Sequence, residues 1–167
     1  GRAHGLENML FDWGVIVYDN VIIDLDPNSL TESGDLRLWH FARAPGSHIT
    51  DQLMDNALFP FFGPSRVVSD DLGRSTDDGL SVRKLIVTSN SAWGEADYQT
   101  HYRARTAPQY TPGQDLKGEL GVMVISERLK PANNLPLSVR GGRLAVFGTA
   151  DIVTNNRIFN VGNLNLF

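Results

Sequence analysis

The sequence predicts a mixed α/β fold with a sheet held between layers of helix, and three observations carry that expectation. Residues 85–87 (inside a strand over 82–88), 120–125 and 144–147 are short apolar runs, the pattern of strands covered on both faces. Leu6, Met9, Leu10 and Trp13 fall at helical spacing, and residues 151–167 read as a second helix docked on the sheet with Ile152, Ile158 and Phe159 inward. Length and composition complete the case: 167 residues, 41% apolar and 20% charged, suit one globular domain with its own core.

Taken in order, the first helix ends at Gly14, a residue suited to a left-handed cap. Val15 to Tyr18, then Asp19-Asn20, then Val21 to Ile23 follow, which reads as a hairpin or as one bent extended segment. Residues 24–34 form a polar loop, and 36–41 alternate as a strand before the loop Ala44-Pro45-Gly46-Ser47. Thr50 is placed to cap a short helix carrying Leu53 and Met54. Pro60 interrupts the apolar run 57–62, so a strand there is broken or at an edge. Residues 69–79 are acidic and flexible in composition, and Gly141-Gly142 is a tight turn before the last strand. The stretch 100–118, rich in proline, glycine and polar residues, reads as a long excursion, and Gly162 would interrupt or kink the closing helix.

Charge and composition remove several function classes. The formal net charge is −4 and the fifteen basic residues are scattered, with Arg103 and Arg105 the nearest approach to a cluster. A nucleic-acid partner would demand a concentrated basic surplus, so none is expected. Without cysteine there is no disulfide framework, thiolate metal site or cysteine nucleophile. No apolar run approaches the roughly 20 residues that cross a bilayer. The chain opens Gly1-Arg2-Ala3-His4 without an initiator methionine and closes on Leu164, Leu166 and Phe167, which reads as a boundary inside a continuing helix.

The motifs of common catalytic sites are missing: there is no G-x-S-x-G elbow, P-loop, G-x-G-x-x-G or H-E-x-x-H. His4, His40, His48 and His101 lack metal-ligand spacing, although His40 and His48 could converge across their loop. The loop from Asp24 through Asp26, Asn28, Glu32 and Asp35 imitates a calcium loop in its oxygen positions. It departs from that pattern at Ser29, where glycine is wanted, at Asp35 in place of glutamate, and at Pro27, so a solvated turn is the plainer reading. Neither a metal nor a cofactor is expected.

More suggestive is Thr88-Ser89-Asn90-Ser91-Ala92-Trp93-Gly94-Glu95, which follows the carboxyl end of an expected central strand, where open α/β sheets hold ligands. Asp151 and Asn155 follow another strand end and would share that rim. The binding residues expected are therefore Ser89, Ser91, Trp93, Glu95, Asp151 and Asn155, with His48 beside them. The competing reading makes Trp93 a packing residue, Glu95 a local cap and Asp151 a helix cap.

Read in order, Gly5-Leu6 to Leu10, Trp13-Gly14-Val15 and Val21-Ile22-Ile23-Asp24 resemble the "GL-x-x-L-L-x-x-W-G-V … V-V-L-D" segment of a known family. This is the gliding-motility-associated, GldG-like family of auxiliary components of ABC transport systems. His48-Ile49-Thr50, Phe59-Pro60, the Thr88 to Glu95 segment, residues 118–124, Phe147-Gly148-Thr149-Ala150-Asp151, Asn155 and the ending from Gly162 continue the likeness over essentially the whole chain. The resemblance implies a flavodoxin-like or class I glutamine-amidotransferase-like sandwich on the extracytoplasmic (periplasmic) face of a bacterial inner membrane. It also implies a following membrane helix outside these residues and the permease and ATPase subunits of the same system as partners. The family's units before Gly5 have no counterpart here, and the amidotransferase cysteine is absent.

The expected function is a non-catalytic domain of an ABC transporter auxiliary subunit, contacting partner subunits, a small molecule or an exported polymer through the rim. A carbohydrate- or peptide-binding module using the same crevice is the alternative, followed by a metal-dependent hydrolase built on His40, His48, Asp24 and Asp26.

Overall fold

Helix α1 (Glu7–Asp12) ends as the sequence suggests, with Gly14 at φ +66° and its N–H donating to the Phe11 carbonyl at 3.0 Å. Trp13 is buried behind it. The computed structural model describes residues 5–29, 37–38, 40–41, 48–71, 73, 79–128, 141–160 and 162–166. The loop 44–47, Glu32, Asp35, and most of the acidic stretch 69–79 lie outside these residues.

The strands of the first half are β1 (Val15–Ile23), β2 (Arg37–Leu38), β3 (His40–Phe41), β4 (Phe61–Phe62) and β5 (Arg66–Asp70). The second half adds β6 (Leu80–Val87), β7 (Trp93–Glu95), β8 (Leu116–Lys117), β9 (Gly121–Arg128) and β10 (Gly142–Phe147). One sheet runs β5-β1-β7-β8, another β10-β9-β6-β3, and β2 pairs with β4 in a two-stranded ribbon. Two further helices are α2 (His48–Asp55) and α3 (Tyr98–Ala104).

The chain is mixed α/β, as expected, but its layers differ from the expectation. Every described strand pairing is antiparallel. The three helices have six to eight residues, too short to roof a sheet. A flavodoxin-like sandwich needs parallel strands joined by crossover helices, and the described residues form neither. The inference that β9 is covered on both faces is sound, whereas the nature of the cover is not. Val124 packs with Val15 and Val68 of the other sheet. Met123 and Ile125, on the opposite face by strand alternation, join a core with Leu53 of α2 and Ile152. A second sheet on one side and short turns on the other produce the same unbroken apolar run that helices would.

The two sheets touch most closely at glycines. A Cβ on Gly121 would overlap the Val68 carbonyl oxygen, and one on Gly148 would overlap that of Arg66. Gly148 also links the sheets through backbone bonds, its N–H donating to Val122 O and its carbonyl accepting from Arg66 N–H, both at 2.9 Å.

Asp19-Asn20 is not a hairpin turn; of the two readings the bent segment is correct. β1 runs through both residues with a register shift between Val17 and Val21, pairing with β5 on both sides of the bend and with β7 after it. The polar pair serves the bend: Asn20 Nδ2 donates to Gly94 O at 2.9 Å, Arg66 Nε donates to Tyr18 O at 2.9 Å, and Arg66 pairs with Asp19.

Three more expectations are corrected. Thr50 does not cap α2, which already starts at His48, and is buried within it. The strand expected over 36–41 is two short pieces, β2 and β3, that join different sheets. The closing helix over 151–167 is replaced by 3-10 turns at Asp151–Val153 and Leu164–Leu166. There Ile152 is buried as expected, but Phe159 is 78% exposed. Asn163 explains the departure. It is fully buried, accepts from Phe61 N–H at 2.7 Å, and donates to the carbonyls of Phe61 at 2.7 Å and Arg157 at 2.9 Å. A side-chain amide that completes loop backbone in this way competes with the helical ladder. Gly162 beside it takes φ +82°, with its α-carbon against the Phe59 carbonyl.

Candidate functional site

The expected rim divides into groups with separate partners. Ser89 is half-buried and Ser91 exposed. Ser89 joins Asp24, a pairing across 65 residues that sequence spacing does not reveal, and Ser91 joins Ser89. The buried Asp24 carboxylate accepts from Ser89 N–H at 2.9 Å, Ser89 Oγ at 2.8 Å and Asp26 N–H at 3.1 Å. Ser89 Oγ lies 2.7 Å from Ser91 Oγ. Behind them Thr88 Oγ1 accepts from Leu120 N–H and donates to Ser89 O, both at 2.9 Å. Three donors on one buried carboxylate fix the exit of β6 against the exit of β1, a positioning role.

Trp93 and Glu95 are buried rather than presented at a rim. Trp93 Nε1 donates to Glu95 Oε2 at 3.3 Å, and Asp97 N–H donates to Glu95 Oε1 at 2.9 Å. Both carboxylate oxygens thus serve the β7–α3 connection, so the packing reading of Trp93 and the local-cap reading of Glu95 describe them better. Asp115 does similar work nearby, accepting from Ala96 N–H at 3.0 Å and Thr111 N–H at 2.7 Å.

Asp151 belongs elsewhere. Its carboxylate accepts from Gly63 N–H at 2.9 Å and pairs with Arg157 Nε at 3.3 Å. It ties its own turn to the end of β4 instead of capping a helix, while Asn155 is exposed on the neighbouring turn. His48 is exposed at the first residue of α2. The side chain of His40 lies outside the described ones.

In the proposed calcium loop, the Asp26 carboxylate accepts from Asn28 N–H and Nδ2, both at 3.0 Å, and Asp24 is held as above. These are turn-forming bonds. Among the described residues no three His, Asp or Glu side chains converge on a point that could hold a metal ion, and no described helix is long and apolar enough to cross a membrane.

An open surface lies at the other end of β1. A groove of about 810 Å³ runs between α1, residues 15–17 of β1 and residues 144–147 of β10. On its helical wall Leu6 is 55%, Met9 40% and Phe11 52% exposed. Among the described residues both strand walls are paired on one side only here, β1 to β5 and β10 to β9. Leu10, Val17 and Val146 form its apolar floor, packed on Val15, Val68 and Val124. The helix is anchored from below: Arg128 Nη2 donates to Asp12 O at 2.9 Å and Ser126 Oγ to Trp13 O at 2.6 Å. The signal in the sequence was the excess of apolar residues in so short a helix, since Phe11 falls off the face that Leu10 and Trp13 turn inward.

Comparison of the chain with family models, with curated proteins and with solved structures found no match.

Proposed function

We propose that this chain is a non-catalytic contact domain of an auxiliary subunit of an ABC transport system, facing the extracytoplasmic side of the membrane. The observation that supports it best is the α1 groove, where three large apolar side chains stand exposed above an apolar floor. A surface of this kind is what a protein contact site requires. Its occupant is an extended apolar segment of the permease subunit. Such a segment finds backbone donors and acceptors on the single-sided edge of β10 and seats alternate side chains against Leu6, Met9 and Phe11, as in strand addition to a sheet edge. The order of motifs from Gly5 to the end of the chain supports the transport context. The rim residues support a scaffold over an enzyme, because Asp24, Glu95 and Asp151 each hold backbone N–H groups in place.

A photo-crosslinking amino acid at position 11 of the full-length protein, in its native membrane, tests this reading. The expected product joins the chain to a permease subunit, and the ATPase subunit co-purifies with it. Recovery of the protein with neither subunit would overturn the proposal.

A further inference from the structure

A second opening lies beside α3, far along the chain from the groove, and its chemistry is different. It has a volume of about 630 Å³ and is lined by Tyr98, His101, Tyr102, Arg103, Arg105 and Thr106, among others. That size lies within the roughly 300–1,000 Å³ typical of small-molecule sites.

Charge singles it out. Arg66 pairs with Asp19, Arg83 and Arg143 with Glu127, and Arg157 with Asp151, while Arg128 donates to the Asp12 carbonyl. Arg103 and Arg105 have no carboxylate partner among the described residues. They are two residues apart, both exposed, on a chain whose net charge is −4. Both line the same cleft, and the planar donor fork of a guanidinium suits phosphate oxygens.

The local backbone is shaped to gather these groups. Arg105 takes the left-handed conformation at φ +54°, which few residues other than glycine adopt. The turn ends α3 and lets Thr106 N–H donate to His101 O at 3.1 Å. His101 Nδ1 and Thr106 Oγ1 lie 2.9 Å apart, which locks the imidazole and hydroxyl together at the mouth of the cleft. Tyr98 and Tyr102, one helical turn apart, stack with centroids at 6.1 Å and an interplanar angle of 29°. Tyr102 is 74% exposed, so one large aromatic side chain stands open in the cleft lined by two cations that have no carboxylate partner among the described residues.

We infer that the α3 cleft binds a small organic anion carrying a flat ring, of the nucleoside monophosphate class, with Arg103 and Arg105 on the phosphate and Tyr102 against the base. Free phosphate would leave the tyrosines unused, and a neutral sugar would leave the arginines unused. A polymeric nucleic acid would need a basic track continuing beyond the cleft, whereas the other described arginines named above are already engaged. The site does not depend on the α1 groove or on what fills it.

Calorimetric titration of the whole chain with adenosine 5′-monophosphate at low salt tests the inference, with sodium phosphate alone and adenosine alone as the other arms. Saturable one-to-one binding of the nucleotide is expected, with each fragment weaker by about tenfold or more because it forfeits one set of contacts. Arg103→Gln combined with Arg105→Gln is expected to weaken the nucleotide by about a hundredfold, and Tyr102→Ala by about fivefold. All three positions are exposed, so the variants retain the thermal unfolding midpoint of the parent. Two results would overturn the site: no saturable binding of the nucleotide, or unchanged affinity in the double-glutamine variant. Phosphate binding as tightly as the nucleotide would overturn the role of the tyrosines.

Discussion

The same two sheets meet in opposite ways at two places. At Gly121 and Gly148 they approach until backbone lies on backbone, with no room for a side chain. At the α1 groove they part, and exposed apolar side chains stand beside strands that, among the described residues, are each hydrogen-bonded on one side only. The first contact is complete within the chain. The second has an apolar floor with exposed Leu6, Met9 and Phe11 above it, which is the composition of a contact surface. A region closed by backbone contacts carries stability, and one with large apolar side chains exposed to solvent is where a partner is sought.

Substitutions that sharpen this contrast fall in a clear order. Gly121→Ala is expected to be the most damaging, losing about 3 kcal/mol of stability in urea unfolding because the added methyl forces the sheets apart. Asn163→Ala comes next, at about 2–3 kcal/mol, since it strands the buried backbone groups of Phe61 that the amide satisfies. Asp24→Asn removes the charge from an acceptor of three hydrogen bonds and is expected to lose about 2 kcal/mol, again read from urea unfolding. Phe11→Ser is the smallest in stability, within about 0.5 kcal/mol, yet it is expected to abolish capture of the permease subunit from membranes. A Phe11→Ser variant that unfolds as early as Gly121→Ala would place the groove among the internally complete regions and break the comparison.

Reading the chain from sequence succeeded where local pattern and tertiary context agree. Gly14 closes α1, and the three strongest apolar runs are strands β6, β9 and β10 within a few residues of their expected ends. The failures share one cause. A strand covered by a second sheet and a strand covered by helices carry the same run of valine, isoleucine and methionine, so the pattern in β9 is silent about its cover. Around Asp151 the spacing of Ile152, Ile158 and Phe159 fits a helix, but Asn163 and Gly162 hold that segment to the carbonyls of Leu58 to Phe61, contacts about 100 residues apart in sequence. The expected rim suffered similarly: Ser89, Trp93 and Glu95 have the right chemistry for binding, but their partners Asp24 and Asp97 N–H claim them for architecture. The basic pair Arg103 and Arg105 was visible as the nearest approach to a cluster, whereas its placement beside stacked tyrosines was not.

By itself, then, the sequence determined that β1, β6, β9 and β10 are extended, that β9 lies in the core, and that cysteine chemistry plays no part, whereas β5, β7 and β8 went unread. Those are consequences of side-chain polarity and backbone propensity, which act within a few residues. The tertiary structure alone decided that the sheets are antiparallel, that the serine–aspartate rim is a brace, and that the open surfaces are the α1 groove and the α3 cleft. Each of these depends on which distant backbone donor reaches which carboxylate or carbonyl, and that information exists only once the chain has closed on itself.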